Sequence, residues 1–317
     1  MKQGTKIILI ILAGLVISWT GLRIMGLKFF KIPTASMENT VPVGTRIMVW
    51  KKNFHPERFE IIVYHNPDFD TVLVPHNPMG YYAAKRQMGS TAIDSRYQKV
   101  FVPLAKREQW LGRCVGIPGD KIEIRNGKLL VNSEIYNNSN VKKMYTIKTK
   151  DNKLINRKWF EKNQIKPENI FKQADSYILS ATTLQISDLK NSVPIDTSYC
   201  MIEPVNRFDN MIFPFKSAIQ WNRDNFGELM IPKKGVEINL TTENIDIYWR
   251  LIETFEENVL YIQDSKIMIN GKITDTYTPK QDYYFICNDN RDNSLDSRYY
   301  GFLPKDHISG KVLKIFN

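Results

Sequence analysis

Leu111-Gly112-Arg113-Cys114-Val115-Gly116-Ile117-Pro118-Gly119-Asp120-Lys121-Ile122-Glu123-Ile124-Arg125-Asn126-Gly127-Lys128-Leu129-Leu130-Val131 carries two β signals in succession. An apolar strand enters a Gly-x-Pro-Gly-Asp turn. Lys121 to Ile124 then alternates, meets Arg125-Asn126-Gly127-Lys128 and resumes as Leu129-Leu130-Val131. Asn-Gly between two such runs predicts a hairpin, because a type I′ turn needs positive φ at both central residues. Asp264 to Ile273 echoes Asn126 to Ile135, turn, apolar strand, second turn and strand in the same order. Two copies this far apart read as equivalent sheet elements and not as a solenoid.

Working outward, Arg46 to Trp50 and Phe59 to Tyr64 are short β-branched or aromatic runs bounded by turn residues, which read as strands. The expected fold class is mainly β. Residues 137–260 are rich in lysine and asparagine with sparse periodicity, and read as an inserted second domain. One helix is expected there, capped by Thr241 or Thr242, with Ile245, Tyr248, Ile252 and Phe255 on one face packing against a sheet.

The chain has 317 residues, with 44 Lys plus Arg against 33 Asp plus Glu and a formal net charge of +11. Hydrophobic residues at 43% exclude a disordered chain. The three cysteines are widely spaced and form no CxxC, the four histidines form no HExxH, and neither GxxxxGK[ST] nor GxGxxG occurs. No metal and no cofactor is therefore expected. Ile7 to Leu22 is an uncharged run between Lys6 and Arg23, about 24 Å long as a helix. Snorkelling of the flanking cations would let it span a bilayer, and with no small-x-small site after it, an uncleaved anchor over residues 1–27 is expected instead of a signal peptide. The first 31 residues contain no acidic side chain, so this end should adhere to anionic lipid. The remaining positive charge is spread along the chain without a nucleic-acid motif, and no nucleic-acid partner is expected.

Three stretches are too specific in type for plain scaffold. Ile32-Pro33-Thr34-Ala35-Ser36-Met37-Glu38-Asn39-Thr40-Val41 presents a serine among small residues after a proline. Alone, it reads more readily as a turn hydroxyl than as a nucleophile. The second stretch is Leu111 to Asp120. The third is Asn288-Asp289-Asn290-Arg291-Asp292-Asn293-Ser294-Leu295-Asp296-Ser297-Arg298-Tyr299-Tyr300-Gly301-Phe302-Leu303-Pro304, whose density of Asp, Asn, Arg and Ser reads as a loop that satisfies its own hydrogen bonds and supports a site.

In this order, behind an expected anchor, the three stretches resemble the type I signal peptidase family. Trp221 to Gly227 and Ile231 to Gly235 look similar to its longer Bacteroidetes-like branch. The resemblance implies a transmembrane helix followed by an antiparallel β catalytic core, in two parts (28–136 and 261–317) around the insertion at 137–260. It also implies a serine endopeptidase, single-pass in the cytoplasmic membrane with its soluble part on the outer face, that removes signal peptides from secretory preproteins. By the same resemblance Ser36 is the nucleophile, and its backbone N–H with the Thr34 hydroxyl forms the oxyanion hole. Ile32, Pro33, Met37, Val41, Trp110 and Leu111 would line pockets for small side chains, while Ser294, Asp296 and Arg298 would orient the general base.

Four places depart from the family pattern. Gly112 stands where the catalytic lysine precedes the arginine, Asn39 where the serine box usually has proline, Asn288 where a glycine precedes Asp289, and Phe59-Glu60 where Gly-Asp is usual. Glycine offers no proton acceptor and a guanidinium stays protonated, whereas a serine nucleophile needs an adjacent base. Two readings follow. In one the peptidase takes its base from elsewhere, the nearest lysines being Lys106 and Lys121. In the other the chain is a catalytically impaired or inactive paralogue that binds signal sequences or assists an active signal peptidase. That second reading expects Gly112→Lys to gain activity.

Overall fold

The computed structural model describes residues 26–51, 54–173 and 175–316. Its backbone is a seven-stranded antiparallel sheet in the order Leu27–Lys31, Arg46–Trp50, Ile308–Phe316, Ile61–His65, Gln109–Gly116, Tyr283–Ile286 and Leu303–Pro304. The C-terminal strand thus sits between two strands from the first quarter of the chain. Ile62 pairs with Gly112 and Val63 with Leu111. Because side chains alternate along a strand, Val63 and Leu111 join one buried cluster with Ile32, Met37 and Val41. Ile62, Tyr64 and Cys114 join another with Ile286 and Tyr300.

The expected hairpin forms between Lys121–Arg125 and Lys128–Val131, with Asn126 at φ 49° and Gly127 at φ 68°. Its late echo is also a strand pair, Leu260–Gln263 with Lys266–Ile269, turning at Asp264 and Ser265 with φ of 48° and 60°. Phe59, where the family pattern has glycine, holds φ 72° and lays its ring on Tyr136 at 3.9 Å. A bulky side chain in that region is strained, and the stacked ring offsets part of the strain.

Within residues 137–260, the strands Lys142–Thr149, Ile170–Lys172, Tyr177–Thr182 and Ile195–Cys200 form a separate sheet. Two helices, Arg157–Lys162 and Thr183–Ser192, bury Trp159, Phe160, Ile186 and Leu189 in that sheet's own core. The later part behaves differently. Phe226–Met230 pairs with Lys121–Arg125, and Leu240, Ile245, Tyr248, Leu251 and Ile252 share a core with Ile122 and Phe285. The expected helix is there as Ile245–Arg250 followed by a wider turn over Leu251–Phe255, but its N-cap is Asn244 and not Thr241 or Thr242. The Thr241 hydroxyl accepts from Asn244 N at 3.2 Å in the turn before it. The helix's apolar face packs into the main core.

A ribbon of Thr71–Val74 and Gln98–Phe101 carries two short helices, Gly80–Met88 and Ser90–Arg96, in a stretch where no helix was expected. Ala83-Ala84-Lys85-Arg86-Gln87-Met88 is a run of strong helix formers. Among the described residues no helix is long and apolar enough to cross a membrane. The expected anchor, Ile7 to Leu22, lies outside the described residues.

Candidate active site

After the Leu27–Lys31 strand the chain folds into a compact turn. Glu38 N donates to Ala35 O at 3.0 Å and Val41 N to Met37 O at 2.7 Å, and Gly44 N closes the loop on Ile32 O at 2.8 Å. Met37 and Val41 are fully buried beneath it, so hydrophobic packing holds the turn from below. Ser36 is half-buried at its top, with Oγ 3.4 Å from Thr34 Oγ1.

The Asp/Arg-rich loop holds this turn from the other side. Asn290 N donates to Ser36 O and Asn290 Nδ2 to Ala35 O, each at 3.0 Å. Thr40 Oγ1 donates to Asp289, whose carboxylate takes a bidentate pair from Arg113 at 2.8 and 2.6 Å. Burial pushes the Asp289 carboxyl up, but the bonds and charge of Arg113 and the Thr40 hydroxyl outweigh it and hold it below the usual aspartate range. Behind lies a second fork. Arg298 donates to Asp296 at 2.9 and 3.0 Å, and Asp296 also accepts from Asn288 N at 3.0 Å and from Ser294 Oγ at 3.3 Å.

A third support comes from the residues 137–200. Glu38 meets Lys166 at 2.6 Å and Lys142 at 3.6 Å, and Asn39 Nδ2 donates to Asn140 Oδ1 at 3.2 Å. Lys142 N donates to Asp289 O at 2.8 Å and its carbonyl accepts from Arg291 N at 3.0 Å. Burial raises the Glu38 carboxyl, and Lys166, Lys142 and Asn169 together outweigh that and lower it.

A cleft of about 590 Å³ opens over Ser36. Its wall includes Ser36, Thr34, Ile32, Pro33, Trp110, Leu111 and Ser294, all singled out from sequence. Met37 and Val41, assigned above to the substrate pockets, lie at 0% exposure under the turn and support it instead. Asp296 and Arg298 are likewise buried, behind Ser294 and off the wall. Phe30, Lys31, Val63, Glu108, Asp292 and Tyr299 also line the cleft and were not anticipated. Alternation from Leu111 was a signal for Val63, its cross-strand partner; nothing local marked Glu108 or Asp292.

Neither lysine nearest to Gly112 in sequence reaches the wall. Lys121 pairs with Glu228 at 3.1 Å, and Lys106 is exposed in a turn. The titratable wall residues are Lys31, Glu108, Asp292 and Tyr299. Asp292 is engaged, accepting from Met144 N at 2.7 Å with Arg223 3.6 Å away.

The sequence profile described as "Signal peptidase, peptidase S26" matches residues 4–181 and 197–316 of the chain. Signal peptidase I of Buchnera aphidicola subsp. Schizaphis graminum is 38% identical over 84 residues, which is 22% of this chain and 26% of that protein. Signal peptidase I of Aquifex aeolicus is 56% identical over 34 residues, 11% of this chain and 13% of that one. Probable signal peptidase I-2 of Synechocystis sp. is 26% identical over 136 residues, covering 42% and 57%. The chain thus spans about a quarter of the length of the Buchnera relatives it matches.

Proposed function

The chain belongs to the signal peptidase S26 family, and we propose that it is a membrane-anchored serine endopeptidase that removes signal peptides from secretory preproteins, with Ser36 as its nucleophile. The observation that carries this reading is the placement of Ser36 Oγ beside the Thr34 hydroxyl, at 3.4 Å, in the wall of a cleft of about 590 Å³. The preprotein would lie extended between the 30–35 segment and the 108–111 strand, where backbone hydrogen bonds give affinity and pocket size gives specificity. Ile32, Leu111 and Trp110 would favour the small side chains of a small-x-small motif ahead of the scissile bond.

In the reaction, Ser36 Oγ bonds to the scissile carbonyl carbon as its proton passes to a base on the cleft wall, other than residue 112, that later hands it on to the leaving nitrogen. The charge that develops on the carbonyl oxygen is met by the Ser36 N–H and the Thr34 hydroxyl, the arrangement through which such sites lower the barrier most. The C–N bond then breaks, the leaving amine takes the proton, and water releases the acyl group from Ser36. The pairs Arg113–Asp289 and Arg298–Asp296 keep the turn in place, so little reorganisation accompanies attack. Residues 1–27 would anchor the chain in the cytoplasmic membrane with the cleft on the outer face. The core would comprise 28–136 and 261–317 together with the strand Phe226–Met230 and the helix Ile245–Arg250, with the earlier part of 137–260 inserted.

Purified full-length chain in detergent, incubated with a preprotein carrying a small-x-small site, should cleave it. Ser36→Ala should abolish cleavage and Thr34→Val should lower kcat by about 10²-fold or more, as loss of one oxyanion donor does. Cleavage that survives Ser36→Ala would remove Ser36 from the mechanism. Signal-peptide binding without turnover would instead favour the paralogue that assists another signal peptidase.

A further inference from the structure

Gly112 is not required by the backbone, since its φ lies outside the left-handed region. It is required by its surroundings. A Cβ on residue 112 would lie 2.5 Å from Ile286 Cγ2, 2.6 Å from Asn288 Oδ1 and 3.2 Å from Tyr64 Cε1. Those neighbours are buried, with 0%, 1% and 0% exposure, so none can swing into solvent. Asn288 is further pinned at both ends. Its N–H donates to Asp296 Oδ2 at 3.0 Å and its Oδ1 accepts from Arg113 N at 3.3 Å. Among the described residues its Nδ2 is buried with no hydrogen-bond partner, a costly arrangement. The carboxamide is thus held in the space beside residue 112 although that space does not satisfy it.

We propose that Gly112 and Asn288 form one steric unit, in which the Asn288 carboxamide, with Ile286, fills the room a side chain on residue 112 would occupy. Position 112 then cannot supply a base to Ser36 in this chain, and the two departures from the family pattern are a single exchange. The inference deepens the reading of Ser36 as nucleophile and rests on it for its catalytic consequence. Its steric content does not depend on that reading. It also corrects the expectation that Gly112→Lys by itself gains activity, because the lysine stem has nowhere to go.

The experiment introduces Gly112→Lys, and separately Gly112→Ala, into two full-length backgrounds: the unaltered chain and one carrying Asn288→Gly with Ile286→Ala. Thermal unfolding in detergent and preprotein cleavage across pH are read for each. In the unaltered background either substitution should lower Tm by about 5 °C or more, the scale of overpacking a filled core, with no gain in cleavage. In the opened background the same substitutions should cost less than half as much, and Gly112→Lys should raise cleavage at least tenfold along an ascending pH limb that Ser36→Ala removes. Gly112→Ala keeps the comparison readable if the lysine variant fails to fold. Equal Tm losses in both backgrounds, or a cleavage gain from Gly112→Lys alone, would overturn the steric unit. Relief of the Tm loss with no cleavage in any variant would leave the unit standing and count against Ser36 as nucleophile.

Discussion

Two buried polar regions meet beneath the serine turn and differ in how they are satisfied. Around Asp289 and Asp296 each carboxylate is gripped by a guanidinium fork, Arg113 at 2.8 and 2.6 Å and Arg298 at 2.9 and 3.0 Å, and backbone or side-chain donors take the remaining sites. One residue before Asp289, the Asn288 carboxamide makes one long bond at 3.3 Å, and its Nδ2 is unpaired among the described residues. The first region holds its shape because breaking a paired buried charge strands its partner. The second holds its shape because its volume is filled. Polar side chains a few residues apart can therefore serve as electrostatic scaffold or as packing.

Asp289→Asn strikes at the charge-paired region most directly. It leaves the Arg113 guanidinium without its counter-charge and should cost about 3–5 kcal/mol in denaturant unfolding. Because the folded carboxyl of Asp289 is lowered, the stability from the pair is fully present above about pH 4, the unfolded value. It is lost as pH falls through the lower folded value, so the gap between Asp289→Asn and the unaltered chain should close in acid. A gap independent of pH would mean that the pair contributes no charge interaction.

Arg298→Lys keeps the charge of the second fork and loses its planar geometry. It should destabilise by about 1–3 kcal/mol, and a midpoint equal to that of the unaltered chain would show that the fork is not needed. Glu38→Gln tests the contact with residues 137–200. Its ion pairs reach Lys166, which is partly solvent-exposed, and Lys142, which is buried, so a loss of about 1–3 kcal/mol at neutral pH is expected. The Glu38 carboxyl is also lowered, and the same sign applies: this contribution should fade as pH drops below about 4. Asn288→Gly should have the smallest effect. The added backbone freedom and one lost bond oppose the removal of an unpaired donor, leaving stability within about 1 kcal/mol of the unaltered chain. A loss as large as that of Asp289→Asn would erase the distinction between the two regions.

Local chemistry made much of the fold legible. Arg46 to Trp50 is a strand over the span its β-branched and aromatic residues suggested, and Asn126-Gly127 turns a hairpin because its φ values need those residues. The helices over residues 80–96, 157–162 and 183–192 were missed because their apolar faces are narrow and their polar residues many. Phe226–Met230 joins Lys121–Arg125, a long-range pairing with no local marker. In the site, Ser36, Thr34, Ile32, Pro33, Trp110, Leu111 and Ser294 were legible through motifs and all face the cleft. Met37 and Val41 share the motif of Ser36, yet a compact turn sends neighbouring side chains in opposite directions, and these two point into the core.

The sequence alone determined that the chain is mainly β, that Ser36 and the Asp/Arg-rich loop belong to one family pattern, and that residue 112 brings no base of its own. These follow from side-chain chemistry and short-range backbone preference, which adjacent residues carry. Only the tertiary structure decided that Glu38 reaches Lys142 and Lys166, that Asp292 and Glu108 share the cleft with Ser36, and that Asn288 and Ile286 close the space beside Gly112. Those are matters of which atoms occupy one volume, and residues more than a hundred positions apart meet there because packing and strand order bring them together.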